Sequence, residues 1–390
     1  MKTKKMLRMT ALALCLCLAT GCAAEPTAAD PGERLELLSI NVGKADCHLL
    51  YLGDEVYLID AGTWQSWGAV SAALRANGID HLDGVFLTHT DKDHAGGLPA
   101  LIQAPVKVDA WYASAYFCEV TAEEHPMNLV TRLRGQEVTY LKAGDTLPQG
   151  GGRLTVLGPT QYFADKENNN SLVLLAETAE GSILLTGDME TPAEELLLRA
   201  GTLQPVTVLK VGHHAEGDAT SEAFARTVRP RLAVISTNSE EEPDTPSSRV
   251  VKLLKAVGAR LASTQSAAGG VRVTVRGGDA QAALESWSFP EAVAGVEIAD
   301  LDTGSELLTL RNGGAETVDL GGWFITSSRG GETFVFPAGQ TLAPGQSLTV
   351  STLSSPSRGD LQWPEEKVWA NKKQDTATLY DAWGRQMSER

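Results

Sequence analysis

The chain has 390 residues, 43% of them hydrophobic and 21% charged, with a formal net charge of −16. This is about two to three ordinary domains' worth of chain, and the composition excludes both a single small domain and wholesale disorder. Residues 1–22 hold four basic residues and no acid, residues 296–390 hold 8 basic against 13 acidic, and the stretch between holds 21 against 36; a surface this acidic excludes long-range electrostatic capture of a polyanion.

Lys2, Lys4, Lys5 and Arg8 precede the apolar run ALALCLCLA and the tetrapeptide ATGC. A basic start, a short apolar stretch and small residues make an export signal. The run is shorter than the ~20 apolar residues a spanning helix needs. ATGC resembles a bacterial lipobox, which implies cleavage after residue 21, lipidation of Cys22 and a protein tethered to a membrane outside the cytoplasm. Residues 23–34, small, polar and Pro-containing, suit a flexible tether.

From residue 35, LELLSINVG, CHLLYL and EVYLID predict three short strands. Helices over 65–77 and near 95–103 then alternate with strands 84–88 and 107–112. A helix over 122–134 and strands 153–158, 171–177 and 182–187 follow. Strands 206–212, 231–236, 259–264 and 270–276 alternate with helices 191–200, 219–228 and 247–257. This pattern predicts an α/β domain over 35–288, with two sheets covered by helices. Beyond Phe289-Pro290 the segments ELLTLRN, VDLGGWFIT, ETFVFP, QSLTVS and TATLYD are short strands between NGG, SRGG and APGQ turns, and predict a small all-β sandwich over 296–390.

The strand GVFLT ends in His89-Thr90-Asp91-Lys92-Asp93-His94-Ala95-Gly96-Gly97. Two His and two Asp on one turn can aim at a single point, and the glycines permit close backbone approach. A capped, solvated turn is the bland alternative. Against it, three further strand ends carry ligand-type residues: Asp60 after EVYLI, Asp188 after SILLTG and His213-His214 after VTVLKVG. Mixed imidazole and carboxylate donors suit Zn, Mn or Fe. After removal of the first 21 residues and modification of Cys22, Cys47 and Cys118 are the remaining thiols, either bridged or separately buried. Isolated His48 and His81 read as surface or satisfied core residues, His125 as part of a loop over the cleft, and Glu240-Glu241-Glu242 as a solvated loop.

Ser39–Leu50, His89–Gly97, Asn168–Leu174, Leu184–Asp188, Leu209–His214 and Thr264–Thr274 together resemble the hydrolase domain of ComEC-type competence proteins, within the metallo-β-lactamase fold. The resemblance implies a four-layer αββα domain and a pair of divalent ions, Zn or Mn. It implies His89 and Asp91 on one ion, Asp93, His94 and His213 on the other, and Asp188 bridging them. Of the adjacent pair, His213 is the preferred ligand and His214 its neighbour. Asn170 falls where related sites place a third His, so that water completes the first site. Asp60 is expected to orient the metal loop through backbone hydrogen bonds, and Asp46, with Asn170 and His214, to support the ligands or meet the substrate. Asp93 and Asp188 are the expected catalytic carboxylates, around a hydroxide shared by the metals. The chain departs from the group at Ala215-Glu216, where Gly-Ser is usual, and at Thr245, where a His precedes Pro; both positions are expected on loops facing the cleft.

Residues 296–390 resemble the lamin-tail family, an immunoglobulin-like sandwich, through Trp323, Phe336-Pro337, Pro344-Gly345, Trp369 and Leu379-Tyr380-Asp381. The resemblance implies an accessory role in adhesion, positioning or nucleic-acid contact, with Lys367, Lys372 and Lys373 as the local basic cluster; the Trp residues read mainly as core. The expectation for the whole chain is an exported, lipid-anchored phosphodiesterase or nuclease acting on extracellular DNA or another surface phosphodiester. The alternatives are a carboxylic ester, lactone or choline-phosphate hydrolase, and a non-catalytic scaffolding lipoprotein.

Overall fold

The computed structural model describes residues 33–118, 135–149, 151–164, 166–370 and 375–390. Cys22 with the expected export segment, the helix expected over 122–134, His125, Lys372, Lys373 and the Cys118 side chain lie outside the described residues. Cys47 is a free, buried thiol.

Period-two alternation in apolar strands dictates the architecture, because both faces of each strand must be covered. Leu50 and Leu52 point to one core while Leu49 and Tyr51 point to another, and Phe86 is divided from Val85 and Leu87 in the same way. An eight-stranded sheet runs Asp279–Glu285, Gly270–Arg276, Leu35–Ser39, His48–Leu52, Glu55–Ile59, Gly84–Leu87, Trp111–Ser114, Val138–Leu141 in spatial order. A seven-stranded sheet runs Arg260–Ser263, Leu232–Ile235, Val208–Lys210, Gly181–Leu185, Val173–Thr178, Gly152–Gly158, Thr146–Gln149. The two meet through a shared core containing Leu37, Leu50, Phe86, Leu174, Ile183 and Val208. Helices Trp67–Ala76 and Leu98–Gln103 cover the outer face of the first sheet, and Thr191–Ala200, Glu222–Val228 and Ser248–Ala256 that of the second, completing the four layers αββα. The strands Val138–Leu141, Thr146–Gln149 and Asp279–Glu285 carry weak apolar signals and are not legible from periodicity; they are edge or next-to-edge strands with exposed positions.

After a connection over 286–295, the C-terminal module forms two four-stranded sheets and a two-stranded ribbon around Trp323, Phe336, Trp363 and Trp369. It docks on the helices Trp67–Ala76 and Leu98–Gln103. Phe324 and Val335 join the core beneath those helices. The Ser71 hydroxyl donates to Ala382 O at 2.8 Å, Arg75 to Gly321 O at 2.8 Å, and Gln103 Nε2 to Thr333 O at 2.9 Å. Apolar burial and hydrogen bonds therefore join the two modules. Among the described residues no helix is long and apolar enough to cross a membrane.

Candidate metal centre

Four strands, two from each sheet, deliver their C-terminal ends to one edge of the two-sheet stack. Glu55–Ile59 delivers Asp60, Gly84–Leu87 the segment His89–His94, Gly181–Leu185 Asp188, and Val208–Lys210 the pair His213-His214. The short helix Lys92–Ala95 starts within the second of these, so Asp93 and His94 are turned inward. Its glycines fit a closed space: a Cβ on Gly97 would lie 2.1 Å from Ala61 O, and one on Gly96 2.3 Å from Lys92 O. Gly97→Ala is therefore expected to cost about 1–3 kcal/mol of stability, measured by urea unfolding, because two backbone segments must separate.

Asp93, His94, Asp188 and His214 each offer a ligand atom, all within 4.8 Å of one another. Asp188 Oδ2 lies 3.2 Å from both His94 Nε2 and His214 Nε2, and Asp93 Oδ2 lies 3.4 Å from His214 Nε2. His89 stacks near His94 with ring centroids 4.1 Å apart, and its Nε2 is 3.7 Å from Asp91 Oδ2. His89, His94 and His214 are fully buried, and none of their Nε2 atoms has a hydrogen-bond partner. Buried polar atoms without partners are costly and rare. Each ring is instead held from behind: His94 Nδ1 by Asp60 at 2.7 Å, His214 Nδ1 by Ser236 O at 2.9 Å, and His89 Nδ1 by Thr88 and Ser171 hydroxyls at 3.1 and 3.3 Å. Nδ1 held and Nε2 free toward a shared point is the arrangement of metal-binding imidazoles. The donor set therefore fits a divalent ion. Asp60 also accepts from Thr88 N and Oγ1 at 2.8 and 2.7 Å, so it braces the loop and His94 together.

Burial alone would discharge His94 and His214, but Asp188, joined by Asp60 at His94 and Asp93 at His214, outweighs it. His94 is raised well above its ordinary range and His214 to about 9. Burial, reinforced by His94, lowers His89 to about 4. Asp93 is held at about 2 against its burial by His214 and His94. Metal ligands must be unprotonated. Loading the centre at neutral pH is therefore expected to release about two protons, from His94 and His214 and none from His89, measured by calorimetry in buffers of different ionisation enthalpy. Apparent affinity is expected to climb with pH as His214, raised to about 9, and His94, raised well above its ordinary range, lose their protons. The metal-free fold is expected to follow the opposite trend. A raised His pKa contributes stability that is complete below the unfolded value of about 6.5 and lost as pH rises through about 9.

The structure corrects the choice within the His pair. His214, not His213, enters the group with Asp93, His94 and Asp188. Three successive left-handed residues, His213 (φ 48°), His214 (φ 51°) and Ala215 (φ 65°), turn the two imidazoles apart. The His213 ring points to the rim, where Nδ1 meets Asp218 at 2.9 Å and Nε2 meets the Asn168 amide at 3.2 Å. Asn170 does not complete the first site either: its amide group is spent on the Phe163 backbone, donating to O and accepting from N at 2.9 Å. The neighbouring Ser171 instead meets His89 and accepts from Asp188 N at 3.1 Å. Asp91 is half-exposed beside His89. One position thus has four close donors and the other His89, Asp91 and whatever Asp188 shares.

A lysine that sequence reasoning passed over lies beneath the centre. Lys210 is 1% exposed, contacts Asp46, and holds its Nζ 3.2 Å from Gly187 O and 3.8 Å from Asp188 Oδ1. Asp46 also accepts from the Ser236 hydroxyl and lies 3.7 Å from His214 Nδ1 and 3.9 Å from His94 Nδ1. The signal was present: a lysine within the apolar strand VTVLKVG has nowhere to extend except inward. At the rim, Glu216 pairs with Lys44 at 2.6 Å. Thr245 is buried and bonded to Thr237 at 2.8 Å, so it does not face the cleft. Glu241, although exposed, accepts from Lys44 N at 3.1 Å.

The metallo-beta-lactamase superfamily model matches residues 40–239 and the lamin tail domain model residues 290–390. ComE operon protein 3 of Bacillus subtilis is 32% identical over 191 residues, covering 49% of this chain and 24% of that protein. Recombination protein 2 of Haemophilus influenzae is 30% identical over 205 residues, covering 51% and 24%. Competence protein ComA of Neisseria gonorrhoeae is 27% identical over 241 residues, covering 60% and 30%. The matches therefore span about a quarter to a third of these relatives. Strand-end histidines and carboxylates around one buried point, on a two-sheet core whose matched segment is over half the sequence, agree with the family assignment: the chain belongs to the metallo-beta-lactamase superfamily and carries a C-terminal lamin tail domain.

Proposed function

We propose that this metal-dependent hydrolase cleaves phosphodiesters outside the cytoplasm, on extracellular DNA or another surface phosphodiester, while a lipidated Cys22 holds it at a membrane. The observation that carries the hydrolytic reading is the convergence of the buried, unpartnered Nε2 atoms of His94 and His214 with Asp93 and Asp188, beside the equally unpartnered Nε2 of His89. Asp93, His94, Asp188 and His214 would hold one divalent ion, and His89 and Asp91, sharing Asp188, a second and weaker one. Such ions, when bound, acidify a water and bind oxygens of the reacting group. Asp91 adds a hard oxygen donor that favours Mn over Zn at the weaker position. Among the described residues the one free thiol, Cys47, is a poor nucleophile, because burial raises its pKa well above its ordinary value. Relatives named for competence and recombination support a nucleic-acid phosphodiester.

Purified protein supplied with Mn or Zn is expected to hydrolyse bis-p-nitrophenyl phosphate. Asp93→Ala is expected to lower the rate more than the roughly 10–100-fold that follows loss of an outer partner of a metal site. Metal retention without turnover of this ester or of a carboxylic ester would sink the reading and leave a scaffolding protein. The Glu216 partner at Lys44 favours the carboxylic-ester reading in one respect, since it neutralises the rim cation a phosphate would meet.

A further inference from the structure

A cleft of about 930 Å3 lies between the hydrolase and the tail domain, within the range of pockets that hold organic ligands, roughly 300–1,000 Å3. It starts at Lys44 on the rim of the metal centre and runs to Trp383 and Arg385 of the tail. Both modules and the segment joining them supply aromatic rings to it: Trp64, Trp287, Phe289 and Trp383. Phe289 is 47% exposed and meets Trp383 edge to face at 5.7 Å. Trp323, Trp363 and Trp369 are buried in the sandwich core, so Trp383 is the tail tryptophan turned to a cavity. Between the rings stand polar groups: Gln65, together with Ser66, Asn238 and Ser328, whose side chains also donate to Thr63 O, Glu241 and Asp375.

The cations lining this cleft are already matched, and its carboxylate is hydrogen-bonded. Lys44 is paired with Glu216 at 2.6 Å, and Arg385 with Asp381 at 2.6 Å. Glu241 accepts from Asn238 at 2.9 Å and from the Lys44 backbone. Single-stranded nucleic acid needs stacking rings together with a positive groove for its backbone. Among the described lining residues the rings are present and an uncommitted cation is not. Rings, amides and hydroxyls without net positive charge match a neutral sugar, whose apolar face stacks while its hydroxyls hydrogen-bond.

We propose that the interdomain cleft binds neutral sugar rings of a glycan, leading from the tail domain to the rim of the metal centre. Tryptophan fluorescence of the purified protein, titrated with chitin, cellulose and maltose oligosaccharides and with a short oligothymidylate, tests this. At least one oligosaccharide is expected to give a saturable change that added salt does not weaken. Phe289→Ala, on the connecting segment and in neither core, is expected to weaken it about fivefold to tenfold without altering thermal unfolding, and Trp287→Ala, whose ring packs partly against the hydrolase core, is expected to weaken it by a similar factor. Asp93→Ala protein is expected to bind equally, which separates this proposal from any failure of catalysis. Absence of binding to every neutral oligosaccharide at millimolar concentration would overturn it. So would binding that survives both replacements, or tighter, salt-sensitive binding of oligothymidylate.

Discussion

Replacing His214 by alanine is expected to abolish tight binding of the first divalent ion, whereas His213→Ala is expected to leave it in place. His214 is fully buried, its Nδ1 is tied to Ser236 O, and its unpartnered Nε2 faces Asp93 and Asp188 at 3.4 and 3.2 Å. Alanine there removes a first-contact donor, so the loss should exceed the roughly 10–100-fold typical of an outer partner. His213 already spends both ring nitrogens on Asp218 and Asn168. Competition with a chromophoric chelator reads both affinities, and metal analysis reads the stoichiometry. The reverse order of the two variants would refute the site as described here.

Lys210→Met is expected to destabilise the metal-free fold by about 3–5 kcal/mol, the cost of stripping one partner from a buried ion pair. Asp46 and Lys210 are each about 1% exposed, and the seven-stranded sheet surrounding Lys210 gives Asp46 no route to water. Asp46 would retain only the Ser236 hydroxyl and the nearby imidazoles, while Asp188 Oδ1 would lose the cation 3.8 Å away. Lys210→Met combined with Asp46→Asn is expected to recover much of the loss, because replacing both charges removes the unmatched anion. Urea unfolding of the four proteins gives the coupling directly. A single replacement costing under about 1 kcal/mol would show that water reaches Asp46 and that the pair is not a structural floor.

Both expectations turn on features the sequence shows unequally. The strand-end acids and the HTDKDH turn stand out because strong apolar periodicity stops at them, so Asp60, His89, Asp93, His94 and Asp188 were legible at once. Adjacent residues are different. Whether His213 or His214 faces the metals depends on three left-handed backbone conformations, each costing about 1–2 kcal/mol for a residue with a side chain, and no propensity predicts such a run. Asn170 stood in the right segment, but its amide is captured by Phe163, a backbone partner seven residues away that composition cannot foresee.

By itself the sequence determined the order of the strongly periodic strands and helices, though not the edge strands, the change to an all-β module near residue 290, and the residue types that could bind a metal. These follow from local periodicity and from where it breaks. Tertiary structure decided which imidazoles converge, placed Lys210 against Asp46 across 164 residues of chain, and docked the tail on the helices of the hydrolase. It also turned the acidity into a more specific statement. The excess of acids over bases between residues 23 and 295 is partly an inward set of proposed ligands, while the interdomain cleft has its cations matched one by one. Pairing of charges is a property of through-space distance, and only the folded chain fixes that.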